Sequence, residues 1–141
     1  MTFHEKSRWI ALVSNVLVWA WYFTTLGRVL AAGVPETPGL LAIMIPAILA
    51  VTIINIVGHI AVALWRPREA RSTMDERERA IARAGAGRAY YLLQLGLIAV
   101  IGASFFRWNQ FLVVNGLVFV LIAADTARYA LEIAAYRRGV A

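Results

Sequence analysis

Four long stretches of this chain carry no charge, and that spacing constrains the fold more than any other feature. The uncharged runs are Trp9 to Gly27, Thr37 to Trp65, Ala89 to Phe106 and Trp108 to Ala124. A helix needs about 20 apolar residues to cross a hydrocarbon layer of about 30 Å. Three runs sit near that length and the second exceeds it. Pro38 and Gly39 are expected in a loop, because proline interrupts a helix interior. The expected architecture is therefore an all-α membrane protein, a bundle of four transmembrane helices over about 9–27, 40–65, 89–106 and 108–126, forming a single domain over 1–141. Composition agrees: 61% of the 141 residues are hydrophobic, 16% are charged, and the mean hydropathy is +0.68. Soluble domains carry roughly a quarter charged residues.

The first run is preceded by Lys6 and Arg8 and followed by Ala31-Ala32-Gly33, a layout shared with secretory signal peptides. A signal core usually spans about 7–15 residues. This run is longer and contains the aromatic cluster Trp19, Trp21, Tyr22 and Phe23, which suits a membrane–water interface. It is read as a retained signal anchor. Phe105, Phe106 and Trp108 are expected at the same outer boundary, with Trp9, Trp65, Tyr90, Tyr91, Tyr129 and Tyr136 at the inner one.

Orientation follows from the basic residues. All but Arg28 and Arg107 of the 14 basic side chains fall in the N-terminal tail, the 66–88 segment or the C-terminal segment. The positive-inside rule then puts both termini and the 66–88 loop in the cytoplasm, as in a multi-pass protein of a bacterial inner membrane. The net charge of +6 gathers on one face, where it suits anionic lipid. Nucleic-acid binding would need basic residues interleaved with aromatics on a folded module, and is not expected.

Residue types also exclude chemistry. There is no cysteine, so disulfides, thiolate metal sites and thiol catalysis are ruled out. His4 and His59 are the only imidazoles, and one histidine among amides is a poor metal site. No nucleophile elbow, phosphate loop, dinucleotide fingerprint or His-Glu-x-x-His motif is present. No enzyme activity, metal or cofactor is expected.

The 66–88 segment is the most distinctive part. Pro67 follows the second run closely. Ser72 with Asp75, and Thr73 with Glu76, have capping-box spacing for a helix starting near Asp75. That short cytoplasmic helix leads into the third run, and Gly85 and Gly87 allow a bend at the junction. Asp75–Arg79 and Glu76–Arg79 have the spacing of helical ion pairs. The sequence Met74-Asp75-Glu76-Arg77-Glu78-Arg79-Ala80-Ile81, followed by small residues, Arg88, Tyr90-Tyr91 and an apolar run, resembles a family of small prokaryotic integral membrane proteins. Its common mark is an Asp-Glu-Arg motif just before a transmembrane helix, and it is classed as a domain of unknown function. The resemblance covers about Met74 to Leu97 and implies a small multi-span protein, with no activity to carry over. Two readings of the motif stand side by side. It is a cytoplasmic docking or gating element, with Asp75, Glu76 and Glu78 meeting C-terminal arginines, or it is a capped helix start with solvated charges.

Polar side chains inside a bilayer are costly and therefore informative. Counting about 1.5 Å per residue from Trp9, Trp65 and Arg88 brings Asn15, His59 and Gln94 to one depth. Asn55 shares a helix face with His59, and Asp125 lies slightly shallower. Asn15, Asn55, His59, Gln94 and Asp125 are thus the candidate intramembrane cluster. They hold helices together through hydrogen bonds, or His59 and Asp125 form a proton-sensitive pair or line a vestibule. Beyond Asp125 the pattern stays helical over 127–138, with Arg128–Glu132 as an i, i+4 pair. Extension of the fourth span and a surface-lying helix remain alternatives.

Two roles follow from this reading. The first is a non-enzymatic accessory or regulatory subunit that uses helix contacts and its basic cytoplasmic face. The alternative is a small oligomeric channel or proton-coupled transporter. The expected partners are the lipid bilayer and a membrane protein or further copies of the chain.

Overall fold

The computed structural model describes residues 3–33, 36–65, 75–106 and 109–138. It is all-helical, with α1 (Phe3–Ala31), α2 (Glu36–Trp65), α3 (Glu76–Ser104) and α4 (Gln110–Arg138). Each helix is long and apolar enough to cross a membrane, which makes the chain a multi-pass membrane protein by length and composition. At 29 or 30 residues, each helix runs about 44 Å, the depth of a bilayer with its headgroup layers included.

The helices continue beyond the uncharged runs because a charged side chain in the headgroup layer does not interrupt backbone hydrogen bonding. α2 begins at Glu36, earlier than the loop expected around Pro38 and Gly39. Pro38 falls in the first turn, where its missing N–H deprives the helix of no bond. The charged stretch after Asp75 and the third run form one helix, and residues 127–138 continue α4 without a break.

Local chemistry sets the ends. α1 closes at Gly33, which adopts φ +72° and donates its N–H to Leu30 O at 3.0 Å; the left-handed conformation favours glycine there. The N-cap of α3 is Asp75, whose Oδ1 accepts from the Glu76 N–H at 2.7 Å. Ser72 and Thr73, expected as caps, lie outside the described residues. α4 is capped by Asn109, whose Oδ1 accepts from Leu112 N–H at 2.9 Å, an N-cap bond to the third helical residue.

The chain divides into two compact units, 1–70 and 71–141, and each contains one helical hairpin. In the first, α1 buries Ala11, Ser14, Asn15, Val18, Tyr22 and Leu26, and α2 buries Ile43 and Ala47. The three- and four-residue spacing on α1 is that of a single seam. Tyr22 is fully buried, packed edge-on to Trp19 and Phe23 at 5.4 and 5.0 Å between centroids. It is a seam residue, unlike the exposed Trp21. In the second unit, α3 buries Ile81, Gly85, Ala89 and Val100 against Phe111, Asn115, Ile122, Glu132 and Ile133 of α4.

Glycine determines how closely the helices approach. A Cβ on Gly58 would lie 2.7 Å from Ile10 Cγ2, and one on Gly85 would lie 2.6 Å from Glu132 Cγ. One on Gly96 would run into both γ-methyls of Val120, the second at 2.8 Å. Without a hydrophobic drive between helices in lipid, such close backbone approach supplies much of the attraction.

Candidate functional site

In the α1–α2 hairpin the polar side chains form one connected line. Asn55 Nδ2 donates across the seam to Ser14 Oγ at 2.9 Å and to Val51 O on its own helix at 2.8 Å. Ser14 Oγ in turn donates to Ala11 O at 3.1 Å. His59 Nδ1 lies 2.6 Å from Asn55 O. A carbonyl only accepts, so Nδ1 is the donor in this contact. Asn15 is buried beside Ser14.

The register corrects the depth expected for these groups. The Asn55–Ser14 bond puts Asn15 at the level of Asn55, whereas the Gly58–Ile10 approach puts His59 near the level of Ile10. Asn15 and His59 are therefore more than a turn apart in depth. The counting set Trp9 level with Trp65, whereas this register pairs α2 with an α1 that reaches back to Phe3.

Gln94 and Asp125 belong to the second hairpin, and both are exposed. Gln94 Nε2 donates to Tyr90 Oη at 3.0 Å, on its own helix. The buried polar groups of this hairpin lie elsewhere. Asn115 Nδ2 donates to Phe111 O at 2.9 Å, and Glu132, only 1% exposed, accepts from Arg128 Nε at 2.9 Å. Glu132 packs against Gly85, so α3 presents bare backbone to a charged side chain of α4. The i, i+4 spacing of Arg128 and Glu132 was visible in the sequence. The burial was not, because a solvated surface pair has the same spacing; the only hint was a lone glutamate in an alanine-rich helix opposite a glycine-rich one.

The cytoplasmic motif has a graded exposure. Asp75, Glu76, Arg77 and Arg79 are exposed, while Glu78 is half-buried. Asp75 acts as a cap, and Glu76 and Glu78 in the first turn suit the positive end of the helix dipole. Among the described residues, no three His, Asp or Glu side chains come together as a metal site. No protein-family model, curated protein or solved structure matches this chain.

Proposed function

We propose that this chain is a non-enzymatic accessory or regulatory subunit of a bacterial inner membrane, with both termini and the 66–88 segment in the cytoplasm. It acts through helix contacts and its basic face. The observation that carries this reading is where the polar groups direct their hydrogen bonds. Asn55 bonds to Ser14 and a carbonyl, Gln94 to Tyr90, and Asn115 to a carbonyl. Of these bonds the one from Asn55 to Ser14 crosses between helices and fastens them; the Gln94 and Asn115 bonds lie within one helix, and amides so engaged leave little to line a path for solute. Meanwhile Leu49, Ile53, Ile56, Val57 and Ile60 of α2 stay exposed, an apolar surface for lipid or a second membrane protein. The resemblance around the Asp-Glu-Arg motif fits a small membrane protein without assigned chemistry, and the exposed Asp75, Glu76, Arg77 and Arg79 give a partner a charged turn to read.

Native mass spectrometry of the protein extracted with its own lipids from its own host tests this. A defined complex with a second membrane protein is expected. Homo-oligomers alone would favour the second reading, a small channel or proton-coupled transporter. One observation supports that alternative: His59 is a half-buried imidazole within a helix of membrane-spanning length. Proton flux in vesicles that disappears in His59→Ala would establish it.

A further inference from the structure

The α3–α4 hairpin carries a groove of about 400 Å³, lined by Ile81, Leu131 and alanines including Ala84 and Ala134, with Arg88 and Arg138 on its rim. That volume falls within the roughly 300–1,000 Å³ of small-molecule sites. We propose that it is a binding site for the headgroup end of one anionic phospholipid, with phosphate and glycerol between Arg88 and Arg138 along the alanine wall and the acyl chains continuing past Arg88 into the hydrocarbon layer.

Three observations argue for this occupant. The first is level. α3 ends at Ser104, and counting about 20 residues back from there puts the other edge of the hydrocarbon layer near Gly85. Arg88 lies just inside that edge and Ala84, Ile81 and Ala80 outside it, so the groove spans the depth of the phosphate and glycerol of a lipid. The second is charge. Arg88 and Arg138 are exposed, and among the described residues no acidic side chain lines the groove. The nearby Glu132 is buried and bonded to Arg128, so it does not offset the rim. The third is wall chemistry. Alanines leave a concave surface with room for the glycerol backbone, and guanidinium groups match phosphate oxygens in number and plane. Basic pockets between membrane helices on the cytoplasmic side are suited to phosphorylated headgroups. The inference rests on the proposed orientation for its side of the membrane, and it stands whether or not a protein partner is found.

The test is native mass spectrometry of the full chain, delipidated and then offered phosphatidylglycerol, phosphatidylethanolamine or inorganic phosphate. One phosphatidylglycerol retained per chain is expected, with the zwitterionic lipid and free phosphate not retained. Arg88→Gln with Arg138→Gln should lower retention about tenfold. The charge-matched pair Arg83→Gln with Arg137→Gln, off the groove, should stay within about a factor of two. Ala134→Leu, which fills the groove without changing charge, should also expel the lipid, and helical circular dichroism checks that each variant is folded. Equal retention of both lipids, equal loss in the two arginine pairs, or retention unchanged by Ala134→Leu would each overturn the proposal. Retention of inorganic phosphate alone would also overturn it, since the apolar wall would then play no part.

Discussion

The two hairpins are built from helices of nearly equal length, yet their seams are made of different material. Between α1 and α2 the buried polar groups are neutral: Ser7, Ser14 and Asn15, joined from the other side by Asn55. Between α3 and α4 a carboxylate is buried, with its arginine on the same helix and a glycine opposite. An amide–hydroxyl bond tolerates the low dielectric of a membrane at modest cost. A charge does so only when it is paired and held. The second hairpin should therefore be the more sensitive to single substitutions, and the first the more forgiving.

Arg128→Ala gives the largest expected effect, because it removes the partner of a carboxylate that is almost fully buried. A loss of about 3 kcal/mol is expected, read from denaturant unfolding in micelles. Adding Glu132→Gln should recover most of it, and a double variant no better than Arg128→Ala would show that the pair is not what holds the seam. Gly96→Ala comes next. The added methyl meets Val120, a β-branched side chain that cannot swing away, at an expected cost of about 1–3 kcal/mol. Gly102→Ala is the control, as a Cβ there meets nothing within 4 Å. If both glycines tolerate alanine equally, close approach is not what joins α3 to α4.

Asn55→Ala sharpens the comparison from the other side. Removing the bond to Ser14 should cost about 0.6–1.7 kcal/mol, less than Arg128→Ala in the same assay. An equal or larger loss would reverse the ranking of the two seams. The smallest effect belongs to Gln94→Ala. That side chain is exposed and bonded within its own helix, so unfolding should shift by less than about 0.5 kcal/mol. A larger shift would mean that Gln94 makes a contact the hairpin alone does not reveal.

Membrane crossing was legible because lipid penalises charge so strongly that the chain must gather its charged residues between spans. Four uncharged runs then fix the number of long helices, and the charged turn marks a helix start near Asp75. Helix limits were less legible, since a charge at headgroup depth permits helix as readily as loop. That is why α1 reaches back to Phe3, and why the depth match of Asn15 with His59 failed. Of the candidate polar residues, Asn55 meets Ser14 across its seam, whereas Gln94 and Asp125 lie on exposed faces.

The sequence by itself thus determined the helical class and the four long helices, through the cost of charge in hydrocarbon, and a helix start near Asp75, through the acidic first turn. The tertiary structure decided which polar groups matter. Spacing along one helix cannot distinguish Arg128–Glu132 from a solvated pair, nor Tyr22 from an interfacial anchor like Trp21. Burial depends on what the opposite helix presents at the same level, and only the packed hairpin sets Gly85 against Glu132 and Ser14 against Asn55.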